Sequence, residues 1–82
     1  MVIESFGGIN FCVTSVSNIV DDCESIEFVA EGGPSVAITT RDDDPARALR
    51  VSMEGEIEAT AFLQMIAYSR RRLGLVDLPE EP

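Results

Sequence analysis

The chain contains no histidine, lysine or tryptophan, and these absences disfavour several classes of function. Histidine is the usual general base in catalysis and a common zinc ligand, so nucleophilic enzymes of the triad type and standard zinc sites are disfavoured. Long apolar runs are also missing. No stretch approaches the ~20 apolar residues of a membrane-spanning helix or the apolar region of a signal peptide. We therefore expect a cytoplasmic protein, with export by a route that leaves no such signal as the alternative.

Cysteine is scarce, with two residues in the chain. Disulfide frameworks in short secreted proteins usually need four or more. The favoured interpretation of Cys12 and Cys23 is two free thiols that pack as small apolar side chains. The alternative depends on a turn at Ser17-Asn18, which would place the two cysteines directly opposite each other and permit a strained disulfide. We predict no metal and no cofactor.

The chain of 82 residues is the length of one small domain, and its charge is strongly acidic. Asp and Glu number 15 against 6 basic residues, which gives a net charge of -9. The 45% hydrophobic content is enough to form a core, although a thin one. We expect a single domain over residues 1–75 and an extended acidic tail over 76–82, where two prolines exclude a helix.

Apolar and polar residues alternate in several stretches, which predicts β-strands. The four clearest are 9–16, 26–31, 36–40 and 49–53, with 2–6 as a candidate fifth strand at the edge. Turns are predicted at Gly32-Gly33-Pro34 and at Asp42-Asp43-Asp44-Pro45. Between Ser17 and Ser25 we favour a hairpin at Ser17-Asn18 or an irregular connection over a short helix.

The two predicted turns define a strand register. They give the facing pairs Ala30–Val36, Phe28–Ile38, Ile26–Thr40, Ile38–Leu49 and Val36–Val51. All of these side chains then lie on one face of one sheet, as a buried face requires.

After Gly55 the apolar spacing changes to three and four residues, which predicts an amphipathic helix from Glu56 to Leu73. Arg70, Arg71 and Arg72 in its last turn suit the helix dipole. The predicted fold class is α+β: an antiparallel meander of four strands, five if 2–6 also pairs, with the helix packed on one face. The predicted core is Phe11, Val13, Ile26, Phe28, Val36, Ile38, Leu49, Val51, Phe62, Met65, Ile66 and Leu73.

The composition favours binding over catalysis, and we predict that the protein is not an enzyme. Paired carboxylates can perform acid–base chemistry, but they need a cleft that shifts their pKa values, and a domain of this size has little volume for one. Nucleic acid and acidic membranes are disfavoured partners because the chain is acidic. The only basic cluster is the one that the helix dipole explains.

The acidic groups are the candidate site. Asp42, Asp43 and Asp44 lack the pattern of a calcium-binding loop and are explained by a turn, although a Ca²⁺- or Mg²⁺-binding module or a small carboxylate enzyme stays an alternative. Together with Glu54, Glu56 and Glu58 they are expected to form a compact patch that contacts a basic protein. The competing interpretation is that the charge serves solubility.

In size and architecture, and in the groups Asp42-Asp43-Asp44 and Glu54-Gly55-Glu56, the chain resembles small phage-encoded inhibitors of bacterial defence, especially anti-CRISPR proteins. It is also similar to immunity proteins that neutralise basic nucleases. The resemblance implies an acidic inhibitor of a nucleic-acid-processing protein. The alternative is a structural or regulatory domain that forms a homodimer through a sheet edge.

Overall fold

Five antiparallel strands form a single sheet in sequence order, and one helix follows them. The computed structural model describes residues 2–18, 20, 22–41, 43–46 and 48–73. The elements are β1 (Val2–Phe6), β2 (Ile9–Asn18), β3 (Cys23–Val29), β4 (Ser35–Arg41), β5 (Arg50–Glu54) and α1 (Ala59–Arg72). The predicted α+β meander with a C-terminal helix is confirmed, with the fifth strand present. The predicted tail at 76–82 lies outside the described residues.

The central hairpins pair in a register that differs by two residues from the predicted one. Phe28 faces Val36, and Ile38 faces both Ile26 and Val51. The β3–β4 loop occupies residues 30–34 and is closed by a hydrogen bond of 3.0 Å from the Ala30 N–H to the Pro34 carbonyl. A shift of two residues preserves the side-chain face, so the predicted inner face is correct although the predicted pairs are wrong.

The reversal between β2 and β3 also differs from the prediction. Ser17 and Asn18 belong to β2, and Asn18 pairs with Cys23, so the predicted hairpin at Ser17-Asn18 is wrong. Asp22 takes a left-handed backbone with φ 53°, which aspartate tolerates better than most residues. The end of β2 is mostly polar, so the sequence there has no alternation of apolar residues from which the position of the turn could be predicted.

The cysteines consequently do not face each other. Cys12 faces Val29 rather than Cys23, so the alternative in which the two cysteines lie directly opposite each other is wrong. Both are free thiols and both are half-buried, which confirms the favoured interpretation.

The core lies between one face of the sheet and α1. The predicted core residues that are fully buried are Phe11, Val13, Ile26, Phe28, Val36, Ile38 and Met65, and Phe6, Ala30 and Ala61 join them. Leu49, Phe62, Ile66 and Leu73 are partly buried and pack against this cluster. Val51 is 39% exposed, so its assignment to the core is wrong. The helix packs closest to β1, at the opposite edge of the sheet from β5.

An aromatic cluster and a close backbone approach fix α1 at the β1 edge. The Phe6 ring meets Phe28 and Tyr68 edge-on, with centroids 5.4 and 5.6 Å apart. Gly7 has φ 59°, and a Cβ there would lie 2.7 Å from the Ala61 Cβ, so the β1–β2 turn requires glycine at this position. The Gly7 N–H also donates to the Gln64 side-chain oxygen at 3.1 Å.

The helix begins at Ala59, later than the predicted Glu56. Glu58 occupies the N-cap position with extended backbone (φ -67°, ψ 141°), and its side chain makes no capping bond. Residues 55–58 instead connect the β5 edge to the start of the helix. The basic last turn is confirmed at Arg70, Arg71 and Arg72. Arg72 also places its guanidinium carbon 5.9 Å from the Tyr68 ring centroid.

Candidate binding surface

Asp43 lies in the connection between β4 and β5 and is engaged by a neighbouring arginine. Arg41 donates from Nε to Oδ1 at 3.0 Å and from Nη2 to Oδ2 at 3.1 Å, a two-bond pair in an exposed position. These hydrogen bonds lower the pKa of the Asp43 carboxyl, and the positive charge of Arg41 adds to the effect. Part of the Asp43 charge is therefore already neutralised within the chain.

Asp44 organises the same connection. Its carboxylate accepts hydrogen bonds from the Ala46 N–H at 3.0 Å and from the Ala48 N–H at 3.3 Å. Its own N–H donates to the Arg41 carbonyl at 3.3 Å. A turn is present here as predicted, because the side chain holds the backbone in place. The connection between Arg41 and Arg50 is longer than the predicted four residues, however, which accounts for the changed register of β5. Asp42 lies outside the described residues, so its role stays a prediction.

Glu54, Glu56 and Glu58 lie at the other end of β5, and all three are exposed. Glu54 ends the strand and faces Ser35 at the start of β4. Gly55 has φ 85° and packs on Pro34, where an added Cβ would come within 3.2 Å. This segment then passes to the N-cap of α1.

The predicted compact patch is therefore divided in two. The connection that holds Asp43 and Asp44 precedes Arg50, whereas Glu54 closes the strand. At about 3.3 Å per residue, β5 separates the two groups by roughly 13 Å. The expectation that the acids of the turn and of the helix start form one patch is wrong, because the strand between them is extended.

A shallow depression of about 230 Å³ lies on the outer face of the sheet, opposite the helix. Its lining includes Glu27 and Glu54, with Val29, Ser35, Ala37 and Ser52 among the other residues. Glu27 faces Ala37, which faces Ser52, while Val29 faces Ser35, which faces Glu54. The two carboxylates therefore stand on diagonal corners of a floor made of small side chains.

The carboxylates of this depression are available to a ligand. In the described part of the chain the salt bridge found joins Arg41 to Asp43, at the other end of β4, and no described cation pairs with Glu27 or Glu54. Two exposed carboxylates beside an uncharged floor favour a cationic side chain, and a guanidinium can pair with either carboxylate through two hydrogen bonds.

The sequence prediction missed Glu27. Its neighbours across the sheet are small, and that pattern becomes visible only when β3, β4 and β5 are aligned in the observed register. Glu54 was predicted, but from its proximity in sequence to the helix start.

Two further findings concern metal binding and membrane spanning. Within the described ranges, no group of three or more His, Cys, Asp or Glu side chains is arranged to hold a metal ion. The described helix is too short and too polar to cross a membrane.

Comparison with models of protein families, with curated protein sequences and with solved structures finds no match to this chain.

Proposed function

We propose that this protein is a non-enzymatic inhibitor that occupies a basic, nucleic-acid-binding site on another cytoplasmic protein. The observation that carries the proposal is the pair of exposed carboxylates, Glu27 and Glu54, on either side of a small-residue floor with no described cation beside them. A basic side chain from a partner can lie in this depression without displacing an internal ion pair.

The shape of the depression suits arginine. A guanidinium can form two parallel hydrogen bonds with one carboxylate. Its aliphatic stem can cover Ala37 and Ser35, which present little bulk. The uncharged centre of the depression therefore admits the side chain, and either Glu27 or Glu54 can pair with its guanidinium.

Inhibition follows from the nature of such partners. Sites that bind nucleic acid use Lys and Arg to neutralise phosphates, and those cations cannot bind phosphate while carboxylates hold them. The net charge of -9 adds long-range attraction, which accelerates association with a basic protein and makes it sensitive to salt.

The predicted acids contribute unequally in this proposal. Glu56 and Glu58 extend the acidic surface from Glu54 toward the start of α1. Asp43 must give up its bonds to Arg41 before it can bind a partner, and Asp44 is committed to the turn. We therefore expect Glu27 and Glu54 to matter more than Asp43 and Asp44.

Affinity capture from a lysate of the source cell tests the proposal. The immobilised protein should retain a basic nucleic-acid-binding protein at low salt, and added duplex DNA or RNA should release it. The double variant Glu27→Gln/Glu54→Gln should weaken capture about tenfold, since loss of charged hydrogen bonds of this kind has that order of effect.

A matched control removes the same number of charges elsewhere. The variant Asp22→Asn/Asp43→Asn alters two exposed acids at the opposite end of the sheet and keeps side chains that favour turns. It should change capture by less than about threefold, because exposed charges distant from the contact act mainly through long-range steering. Equal losses in both variants, or a captured protein that nucleic acid fails to release, would refute the proposal.

A further inference from the structure

The edge strand β5 is complementary in sequence to a second copy of itself. All five of its residues, Arg50 to Glu54, are exposed, and it pairs within the chain with β4 on one side only. We propose that two copies of the protein pair antiparallel through β5, around a two-fold axis at Ser52. The two sheets would then form one continuous sheet of ten strands.

Centring the pair on Ser52 aligns the whole strand with chemically matched neighbours. Arg50 faces Glu54 of the second copy, and Val51 faces Met53 of the second copy. Ser52 faces its own equivalent. Two-fold symmetry produces each of the unlike pairs twice, so a single favourable contact counts double. Opposite charges and apolar pairs across strands both stabilise a sheet.

The other edge of the sheet lacks this match. If β1 paired with itself over its full length, Glu4 would face Glu4 of the second copy. Like charges directly opposite each other destabilise a strand pair. The proposal therefore concerns β5 alone.

The burial pattern supports the same pairing. Val51 and Met53 lie on the inner face, beside Ile38 and Val36 respectively, yet they are 39% and 45% exposed. In the dimer they meet Met53 and Val51 of the second copy and extend the core across the two-fold axis. An exposed edge with apolar side chains is a surface that readily pairs with another strand.

This inference does not rest on the proposed function, but the two share Glu54. In the dimer, Arg50 of the second copy lies beside Glu54 and competes with a basic partner for it. Each copy carries a net charge of -9, so the copies repel at long range. We expect added salt to strengthen the dimer, whereas it weakens binding of a basic partner.

Sedimentation equilibrium of the full chain over a range of concentration and salt tests the pairing. We expect a reversible dimer whose affinity falls about tenfold in Arg50→Glu, because two attractive contacts become repulsive. The double swap Arg50→Glu/Glu54→Arg should restore the affinity to within about threefold, since the charges match again. The control Glu4→Gln on β1 should leave it unchanged.

Crosslinking locates the axis independently. In a background in which Cys12 and Cys23 are replaced by Ala, Ser52→Cys should form a disulfide-linked dimer under glutathione disulfide, since directly opposed strand positions lie within disulfide reach. Glu54→Cys should not, because the two copies of this position stand roughly 13 Å apart along the strands. A wild type that stays monomeric to its solubility limit, a swap that fails to restore dimerisation, or equal crosslinking at both positions would overturn the proposal.

Discussion

Substitution by valine at two adjacent threonines of β4 should change the stability of the protein in opposite directions. Thr40 is fully buried on the inner face, and its hydroxyl has no hydrogen-bond partner among the described residues. Thr39 points to the outer face, where its hydroxyl lies 2.7 Å from the Ser25 hydroxyl in a half-buried hydrogen bond. Valine has nearly the same shape as threonine but lacks the hydroxyl.

The magnitude follows from the burial of the two hydroxyl groups. A buried hydroxyl without a partner costs roughly 1–3 kcal/mol, so Thr40→Val should stabilise the protein by about 1–2 kcal/mol. For a domain of this size that corresponds to an increase in Tm of roughly 4–16 °C. Thr39→Val removes a satisfied hydrogen bond and should cost about 0.5–1.5 kcal/mol.

Thermal and urea denaturation, followed by circular dichroism, measure both changes under the same conditions. The comparison removes the general preference of valine for strands, because both substitutions share it. If Thr40→Val is destabilising, or if both variants shift Tm in the same direction, the burial and hydrogen bonding assigned to β4 are wrong.

Three further predictions concern positions that fix the local geometry. Gly7→Ala should destabilise the fold by about 1–3 kcal/mol in urea denaturation, since it combines a left-handed backbone with a clash against α1, and an unchanged midpoint would refute the close approach. Asp44→Ala should cost about 0.5–2 kcal/mol by the same assay, whereas Asp44→Asn, which keeps one acceptor oxygen, should cost less. In an NMR titration the Asp43 carboxyl should titrate below the usual range for aspartate, and Arg41→Gln should raise its pKa. Because the pKa is lowered on folding, this interaction stabilises the protein above the ordinary aspartate pKa, and the contribution disappears as the pH falls through the lowered value.

The fold class could be predicted because alternation with a period of two and spacing of three and four residues are strong local signals. The inner-face residues Phe28, Val36 and Ile38 were identified correctly although their partners were wrong. A shift of two residues returns every side chain to the same face, so hydrophobic pattern alone cannot detect it. Loop length decides the register, and the loop at 30–34 is longer than its Gly-Gly-Pro signal indicates.

The candidate site was predicted less well because it depends on contacts between distant parts of the chain. Placing Asp44 and Glu54 in one patch required knowing where β5 begins and ends. Recognising Glu27 beside Glu54 required the correct pairing of three strands. Val51 is predicted to be in the core but is exposed at the edge of the sheet. Alternation shows which face a side chain is on, but it does not show how far the helix extends over that face.

Mapping where a cation binds is the most direct test of the central claim that the Glu27–Glu54 depression is the binding surface. A short arginine-rich peptide would be titrated into the isotopically labelled protein, and amide chemical shifts would be followed by NMR. We predict that the largest shifts fall on Glu27, Ala37, Ser52 and Glu54, with smaller ones at Asp43 and Asp44. Shifts centred on the β4–β5 connection, or spread evenly over all acidic residues, would contradict the account and reduce the acidity to a general surface property.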